Sequence, residues 1–344
     1  MIHLYLGLLL FSFLTTSTLV VPFINLLYRL KFQRQKQKTL DFQEKRTKIF
    51  DKFHSKKQGT PVGGGILIIA SVCILFLLIF PILKTSNIFI STNYDIVKEL
   101  NIIFFTFISF ALLGLYDDIY KFFKFKKTGF FGLRLIHKLI LQILLATIIS
   151  TYIYFQLGTN FIYIPFLGTA NLGLFFIPIS ILFIVAFSNF FNITDGLDGL
   201  SCGLLMIALF AFWILSGASL DTPISIFLAL WIGSILAFLY FNVYPARIWL
   251  GDVGALSFGA TFAVIAIILG KVIPLLVVGA LFIVEGMSSV IQIFYKKYFK
   301  RKFFPAAPIH LTLQKIGWEE SKIVTRAWLA GIILAIFGLW LGIN

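Results

Sequence analysis

Apolar residues run continuously along most of this chain, without the strict alternation of a half-buried strand. Stretches almost free of charge recur at about 4–28, 62–82, 100–116, 138–156, 174–191, 200–217, 224–242, 255–270, 272–294 and 325–342. A membrane-spanning helix needs roughly 20 apolar residues, so the pattern predicts about ten transmembrane helices. Strands of a membrane barrel would alternate apolar and polar positions, and these runs do not. Gly270, Lys271 and Pro274 alone separate the eighth and ninth runs, which implies a short turn. The first run reaches Leu30 and has neither a basic leader nor a small-residue cleavage site. It reads as a retained helix rather than a removed signal. No soluble domain, low-complexity linker or repeat interrupts the series. The expectation is an all-α polytopic membrane protein forming one integral membrane domain over residues 1–344.

Composition sharpens this reading. The chain is 59% hydrophobic and only 12% charged, with a mean hydropathy of +0.97, far outside the range of soluble domains. The formal net charge of +15 would suit a nucleic-acid partner. Its distribution argues instead for membrane loops facing anionic lipid, with no nucleic acid involved. Arg29 with the 31–57 loop, the 117–138 segment, Arg247 and the 295–326 segment hold 26 of the 29 Lys and Arg. All of these follow odd-numbered runs. Lys84, Lys98 and Lys271 fall on the other side. The positive-inside rule then puts the basic loops in the cytoplasm and both termini outside. Cys73 and Cys202 lie inside apolar runs and suggest no disulfide framework.

Only fourteen acids are present, and their placement is selective. Asp117 and Asp118 end the third run, Asp195 and Asp198 follow the fifth, and Asp252 follows the seventh. All five therefore belong to the cytoplasmic edge, in three loops that helix packing can bring together. Glu285 is different: it sits inside the ninth run, where a carboxyl is costly unless paired or facing a cavity. Asp117 and Asp118 would diverge by about 100° on a helix, so one can serve as base or metal contact while the other meets Lys121. In Asn189-Phe190-Phe191-Asn192-Ile193-Thr194-Asp195-Gly196-Leu197-Asp198-Gly199, the two aspartates would share a helical face. The plain alternative there is a turn and cap. Pro245 ends the seventh helix, and Gly251 and Gly254 flank Asp252 closely enough to admit a ligand. A carboxylate surface ringed by lysines suits hydrated Mg²⁺ and phosphate groups. His and Cys are too few for a zinc site, and no nucleotide-triphosphate loop motif is present.

These motifs resemble the polyprenyl-phosphate N-acetylhexosamine-1-phosphate transferases. The resemblance rests on Asp117-Asp118-x-x-Lys121, the Asn189 to Leu200 stretch, Asn242 with Pro245-Ala246, Gly251-Asp252-x-Gly254, and Pro308-Ile309-His310 before Gly317-Trp318. The entry Lys57-x-Gly59-Thr60-Pro61 and the closing segment favour the phospho-N-acetylmuramoyl-pentapeptide transferase branch. The resemblance implies a Mg²⁺-dependent reaction at the cytoplasmic face of the bacterial inner membrane. Undecaprenyl phosphate and UDP-N-acetylmuramoyl-pentapeptide would give lipid I and UMP. It assigns Asp252 to the metal or, in a rival two-step scheme, to nucleophilic attack. Asp195 is a second metal candidate. Asp117 would deprotonate or orient the lipid phosphate, with Asp118 in support. Lys57, Asn189, Asn192, Asp195, Asp198, Asn242 and Trp249 would surround nucleotide and diphosphate. Lys121 and Lys138 would be basic positions near the active face, His310 would serve the sugar-peptide substrate, and a homodimer is implied.

The chain departs from that branch at one informative place. His310-Leu311-Thr312 stands where the branch has three histidines, Val62 where Thr is usual, and Trp249 where Phe is usual. The donor sugar is therefore the open question. The alternative is a sister transferase taking UDP-N-acetylglucosamine to start another envelope polymer. A transporter would gather its polar groups at the bilayer midplane. Only Glu285 among the membrane-associated acids is placed that deep.

Overall fold

The computed structural model describes residues 2–33, 59–86, 90–123 and 135–343. Among the described residues there are twelve α-helices: α1 (Ile2–Arg29), α2 (Gly64–Thr85), α3 (Ile96–Phe123), α4 (Leu135–Tyr152), α5 (Phe176–Thr194), α6 (Leu200–Ala218), α7 (Thr222–Asn242), α8 (Asp252–Ile268), α9 (Val272–Val278), α10 (Ala280–Phe299), α11 (Ile309–Lys315) and α12 (Glu320–Ile343). Among the described residues, eight helices are long and apolar enough to cross a membrane. The pair α9 and α10, bent by 75° at Gly279, adds a ninth if it is one span. Helix α8 is apolar but has only 17 residues. The protein is thus a polytopic, mostly helical membrane protein, and each of the ten apolar runs holds helix.

The all-α expectation needs one correction. Between α4 and α5 the chain forms an antiparallel hairpin, β1 (Phe161–Ile164) with β2 (Gly168–Asn171), in which Phe161 pairs with Asn171. A π-helical turn, Ile153–Leu157, leads into it from α4. The hairpin docks on the end of α8, where Tyr163 N–H donates to the Gly270 carbonyl at 3.2 Å.

Helices α7 and α8 form the centre. They are apolar around the whole circumference, as a fully enclosed helix must be, and every residue from Val253 to Ile268 is buried. Trp231 of α7 packs edge-on against Phe107 of α3 and Phe258 of α8, at centroid distances of 5.3 and 5.2 Å. In lipid, helices gain from close backbone approach and from hydroxyls shared across the seam. Ser12 of α1 accordingly donates to the Leu230 carbonyl at 2.6 Å and meets Ser234 Oγ at 2.9 Å. Ser257 of α8 donates to the Phe107 carbonyl at 2.6 Å, and Ser188 of α5 to the Leu256 carbonyl at 3.1 Å. Gly114 of α3 lies directly on the Asp252 carbonyl, leaving no room for a Cβ. These contacts clamp α8 between α3 and α5 and so set the position of Asp252 at its first turn.

Candidate active site

One end of the bundle gathers the C-termini of α3, α5 and α7 with the N-termini of α4, α6 and α8. Helix α8 begins at Asp252, after Gly251 in a left-handed conformation (φ 82°) that favours glycine. A carboxylate at a helix N-terminus is stabilised by the helix dipole. Oδ2 of Asp252 receives Lys138 Nζ at 2.5 Å, Lys121 Nζ at 2.8 Å and Asn192 Nδ2 at 3.4 Å. None of these three donors is on Oδ1.

Asp117 and Asp118 are both buried, and they divide as their helical divergence requires. Oδ2 of Asp117 takes Lys121 and Lys138, each at 3.1 Å. Oδ2 of Asp118 accepts the Val253 backbone N–H at 3.1 Å, tying α3 to the start of α8. Asp118 thus holds Asp252 in place, while Asp117 faces the lysines. The side chain of Asp252 is the most open of the three acids, 15% exposed against 3% for each of the others.

Three carboxyl groups and two ammonium groups meet at this point. No three His, Cys, Asp or Glu side chains form a ligand group among the described residues. Asp117 and Asp252 nevertheless converge on the same lysines, as oxygen donors. That set fits hydrated Mg²⁺, which takes one or two carboxylates and fills its octahedron with water and substrate phosphates.

Asn189 and Asn192 share a face of α5. Asn189 Nδ2 donates to Gln142 Oε1 of α4 at 2.7 Å and to the Val185 carbonyl at 2.8 Å. Asp195 caps α5 and accepts Ser201 Oγ at 2.5 Å. Asp198 and Asn242 are both buried at the same end of the bundle. Asp198 Oδ2 accepts the Ala246 N–H at 3.0 Å, and Asp198 N–H donates to Glu320 Oε1 at 2.8 Å. Asn242 accepts the Gly199 N–H at 3.2 Å and donates to the Ile248 carbonyl at 2.9 Å. These bonds tie the Asp195–Gly199 turn to the loop before α8.

Trp249 joins the same edge through its backbone. Its carbonyl accepts from Gly63 and Gly64 at 3.0 and 2.9 Å, and its N–H donates to the Pro61 carbonyl at 2.9 Å. Lys57, expected among the residues that surround nucleotide and diphosphate, lies outside the described residues. His310 is buried; its Nδ1 lies 2.9 Å from Glu285 Oε2, and its Nε2 edge packs against Gly196. Glu285 is therefore paired within the bundle, as its depth in the ninth run requires. Gln142, Ser201 and Glu320 are site-edge residues that the sequence pattern does not single out. Gln142 has one local signal: it follows Lys138 by four residues, on the same face of α4.

A model of glycosyl transferase family 4 matches residues 100–270, the segment that holds Asp117, Lys138, Asn192 and Asp252. Relatives match over most of the chain. The phospho-N-acetylmuramoyl-pentapeptide-transferase of Clostridium botulinum (strain Eklund 17B / Type B) is 34% identical over 331 residues, covering 96% of this chain and 94% of its own. Its namesake from Pelagibacter ubique (strain HTCC1062) is 40% identical over 305 residues, covering 83% and 80%. That from Bartonella quintana (strain Toulouse) is 35% identical over 303 residues, covering 83% and 80%. With the acid and lysine cluster lying inside the matched segment, the chain belongs to the phospho-N-acetylmuramoyl-pentapeptide-transferase family of the family 4 glycosyl transferases.

Proposed function

We propose that this protein transfers phospho-N-acetylmuramoyl-pentapeptide from its UDP-linked donor to undecaprenyl phosphate, giving lipid I and UMP for peptidoglycan synthesis. It would do so as a single membrane domain at the cytoplasmic face of the bacterial inner membrane, with Mg²⁺. The observation that carries the reading is the convergence of Asp117, Asp252, Lys121, Lys138 and Asn192 from four different helices at one end of the bundle.

The chemistry is a displacement at the sugar-linked phosphorus. An oxygen of the lipid phosphate forms the new P–O bond, the bond to UMP breaks, and UMP leaves with its electron pair. Asp252 and Asp117 would hold the Mg²⁺, with Asp195 a further candidate ligand; the metal's contribution is to neutralise charge on the bridging diphosphate. Lys121 and Lys138, already pinned between the two acids, would hold the incoming phosphates. Asp117 would orient the lipid phosphate, which is anionic near neutral pH and needs little help losing a proton. Asp118 keeps Asp252 in register through the Val253 N–H.

One observation keeps the donor sugar as a live variable. Where the branch has its second and third histidines, Leu311 is buried and the Thr312 hydroxyl bonds to the Ala306 carbonyl. Neither side chain supplies an imidazole to a substrate. The test is UMP release by the purified protein with undecaprenyl phosphate, Mg²⁺ and each UDP-sugar in turn. Release from the muramoyl-pentapeptide donor is expected. Release from UDP-N-acetylglucosamine alone would move the protein to the sister reaction, and no release from either would end the transferase reading.

A further inference from the structure

Gln142 lies on α4 one turn beyond Lys138 and is fully buried. Its Oε1 accepts from Asn189 Nδ2 at 2.7 Å. The same Nδ2 donates to the Val185 carbonyl at 2.8 Å. A backbone carbonyl only accepts, so the Asn189 atom facing it is necessarily the NH₂ group. Both amide hydrogens are then committed, one downward to the helix and one across to α4. Asn189 is half-buried, and the atom it has left to offer is Oδ1. Its neighbour on the same face, Asn192, reaches Oδ2 of Asp252.

Gln142 makes this arrangement at a cost to the fold. Its Nε2 is buried with no hydrogen-bond partner among the described residues. An unpaired buried amide destabilises a protein, whereas an apolar side chain of similar size there would not. The side chain is thus a poor choice for packing and a good one for holding Asn189.

We propose that Gln142 is a positioning residue, which locks the Asn189 carboxamide so that Oδ1 is presented to the active site. An amide oxygen repels the anionic oxygens of a phosphate. Asn189 therefore engages a hydrogen-bond donor, either an N–H or O–H of the nucleotide-linked substrate or a water of the hydrated metal. The inference rests on the transferase reading above.

The test uses the full chain, purified, as Gln142→Leu, Gln142→Glu, Asn189→Ala and the Gln142→Leu/Asn189→Ala double variant. UMP release is measured while the UDP-linked donor and Mg²⁺ are varied separately, and each variant is also melted. Gln142→Leu should melt no lower than the parent and lose about tenfold in kcat/KM, as removal of an orienting partner behind a ligand does. A raised half-saturation for the UDP-linked donor assigns the Oδ1 partner to the substrate; a raised half-saturation for Mg²⁺ assigns it to the metal's water. Gln142→Glu keeps the acceptor and should recover most of the loss. The double variant should be no worse than Asn189→Ala, because Gln142 acts only through Asn189.

Parental kinetics in Gln142→Leu, or losses that multiply in the double variant, overturn the inference. So does a Gln142→Leu protein that melts lower and loses kcat with both half-saturations unchanged, since that is a packing role. A parent that releases no UMP overturns the transferase reading and this inference with it. An active parent beside an indifferent Gln142→Leu overturns this inference alone.

Discussion

Lys138 Nζ lies 2.5 Å from Oδ2 of Asp252, joining the first turn of α4 to the first residue of α8. Both side chains are mostly enclosed, at 11% and 15% exposure, so neither is fully hydrated if the other is lost. Lys138→Met leaves three carboxylates facing Lys121 alone. Removing one partner of an enclosed pair costs up to about 3–5 kcal/mol, less here because the pair is partly wet. The expected result is a lower melting temperature and a fall in UMP release of roughly 100-fold, consistent with lost charge stabilisation in the transition state. Activity within about threefold of the parent, against that electrostatic scale, would remove Lys138 from the machinery.

Gly114→Ala tests how closely α3 must approach α8. A Cβ at Gly114 would overlap the Asp252 carbonyl, and backbone cannot swing aside as a flexible side chain can. Overpacking of this kind costs typically about 1–3 kcal/mol. Gly259→Ala makes a comparable overlap with the Phe187 carbonyl, where α8 meets α5. Both variants should melt lower. Gly114→Ala should lose more activity at equal stability, because it displaces Asp252 itself. Equal activity losses would mean that helix packing, not the placement of Asp252, explains the effect.

The acids were legible in sequence because charge is rare there: Asp117, Asp118, Asp195, Asp198 and Asp252 each stand at the end of an apolar run. Run length alone located the long helices. The break between α9 and α10 was not legible, because it falls inside a continuous apolar run. Gly279 packs against the Phe187 ring there, a contact set by tertiary structure. The hairpin was equally hidden, since each strand has only four residues and its pairing is with its neighbour alone. Asp198 and Asn242 could be placed at the membrane edge but not assigned their bonds. Glu320, which accepts from Asp198 N–H, lies 122 residues away. Gln142 looked like one polar residue in an apolar helix, and only the position of α5 gives it a partner.

His310 and Glu285 yield a test of charge state. If the Nδ1 to Oε2 contact at 2.9 Å is a neutral imidazole donating to an acceptor, Glu285→Gln keeps that acceptor and should melt close to the parent. Glu285→Leu leaves a buried imidazole N–H unpaired, at a cost of about 1–3 kcal/mol. If the pair is ionic, both variants should lose alike. Thermal melts of the two proteins near neutral pH separate the cases, and Glu285→Gln is expected to melt above Glu285→Leu, because its amide oxygen can still accept from the buried His310 ring.

The orientation is testable with single cysteines, after replacing Cys73 and Cys202. Phe166 and Leu167, exposed at the tip of the hairpin, belong to the end of the bundle opposite the acid cluster. Lys297, at the basic end of α10, belongs to the other side. The positive-inside rule predicts that an impermeant thiol reagent labels Phe166→Cys in intact spheroplasts, and Lys297→Cys only after permeabilisation. The reverse pattern would invert the topology and move the active site to the outer face.

At the hairpin end, Asp221 caps α7, accepting the Ile224 N–H at 3.0 Å. Its carboxyl also faces that of Glu99 of α3, which is fully buried, and Thr92 Oγ1 lies between them, 2.7 Å from Glu99 Oε2 and 3.5 Å from Asp221 Oδ2. Two carboxyl groups can bond to each other only when one holds a proton. Glu99 Oε1 has no hydrogen-bond partner among the described residues. Burial pushes the Asp221 carboxyl above its ordinary range. In the unfolded chain the same carboxyl ionises near pH 4. The proton is therefore bound more tightly in the folded state, and stability falls as pH rises from about 4 towards the folded-state value. Glu99→Gln removes one of the two acids and supplies an amide N–H to the Asp221 carboxylate. It should melt higher than the parent at about pH 8, because the amide carries its hydrogens without taking up a proton from solvent. The parent should lose more melting temperature than Glu99→Gln between about pH 5 and pH 8, because in that interval unfolding releases a proton that the folded pair holds. Parallel pH profiles for the two proteins would show that the carboxyl pair holds no shared proton.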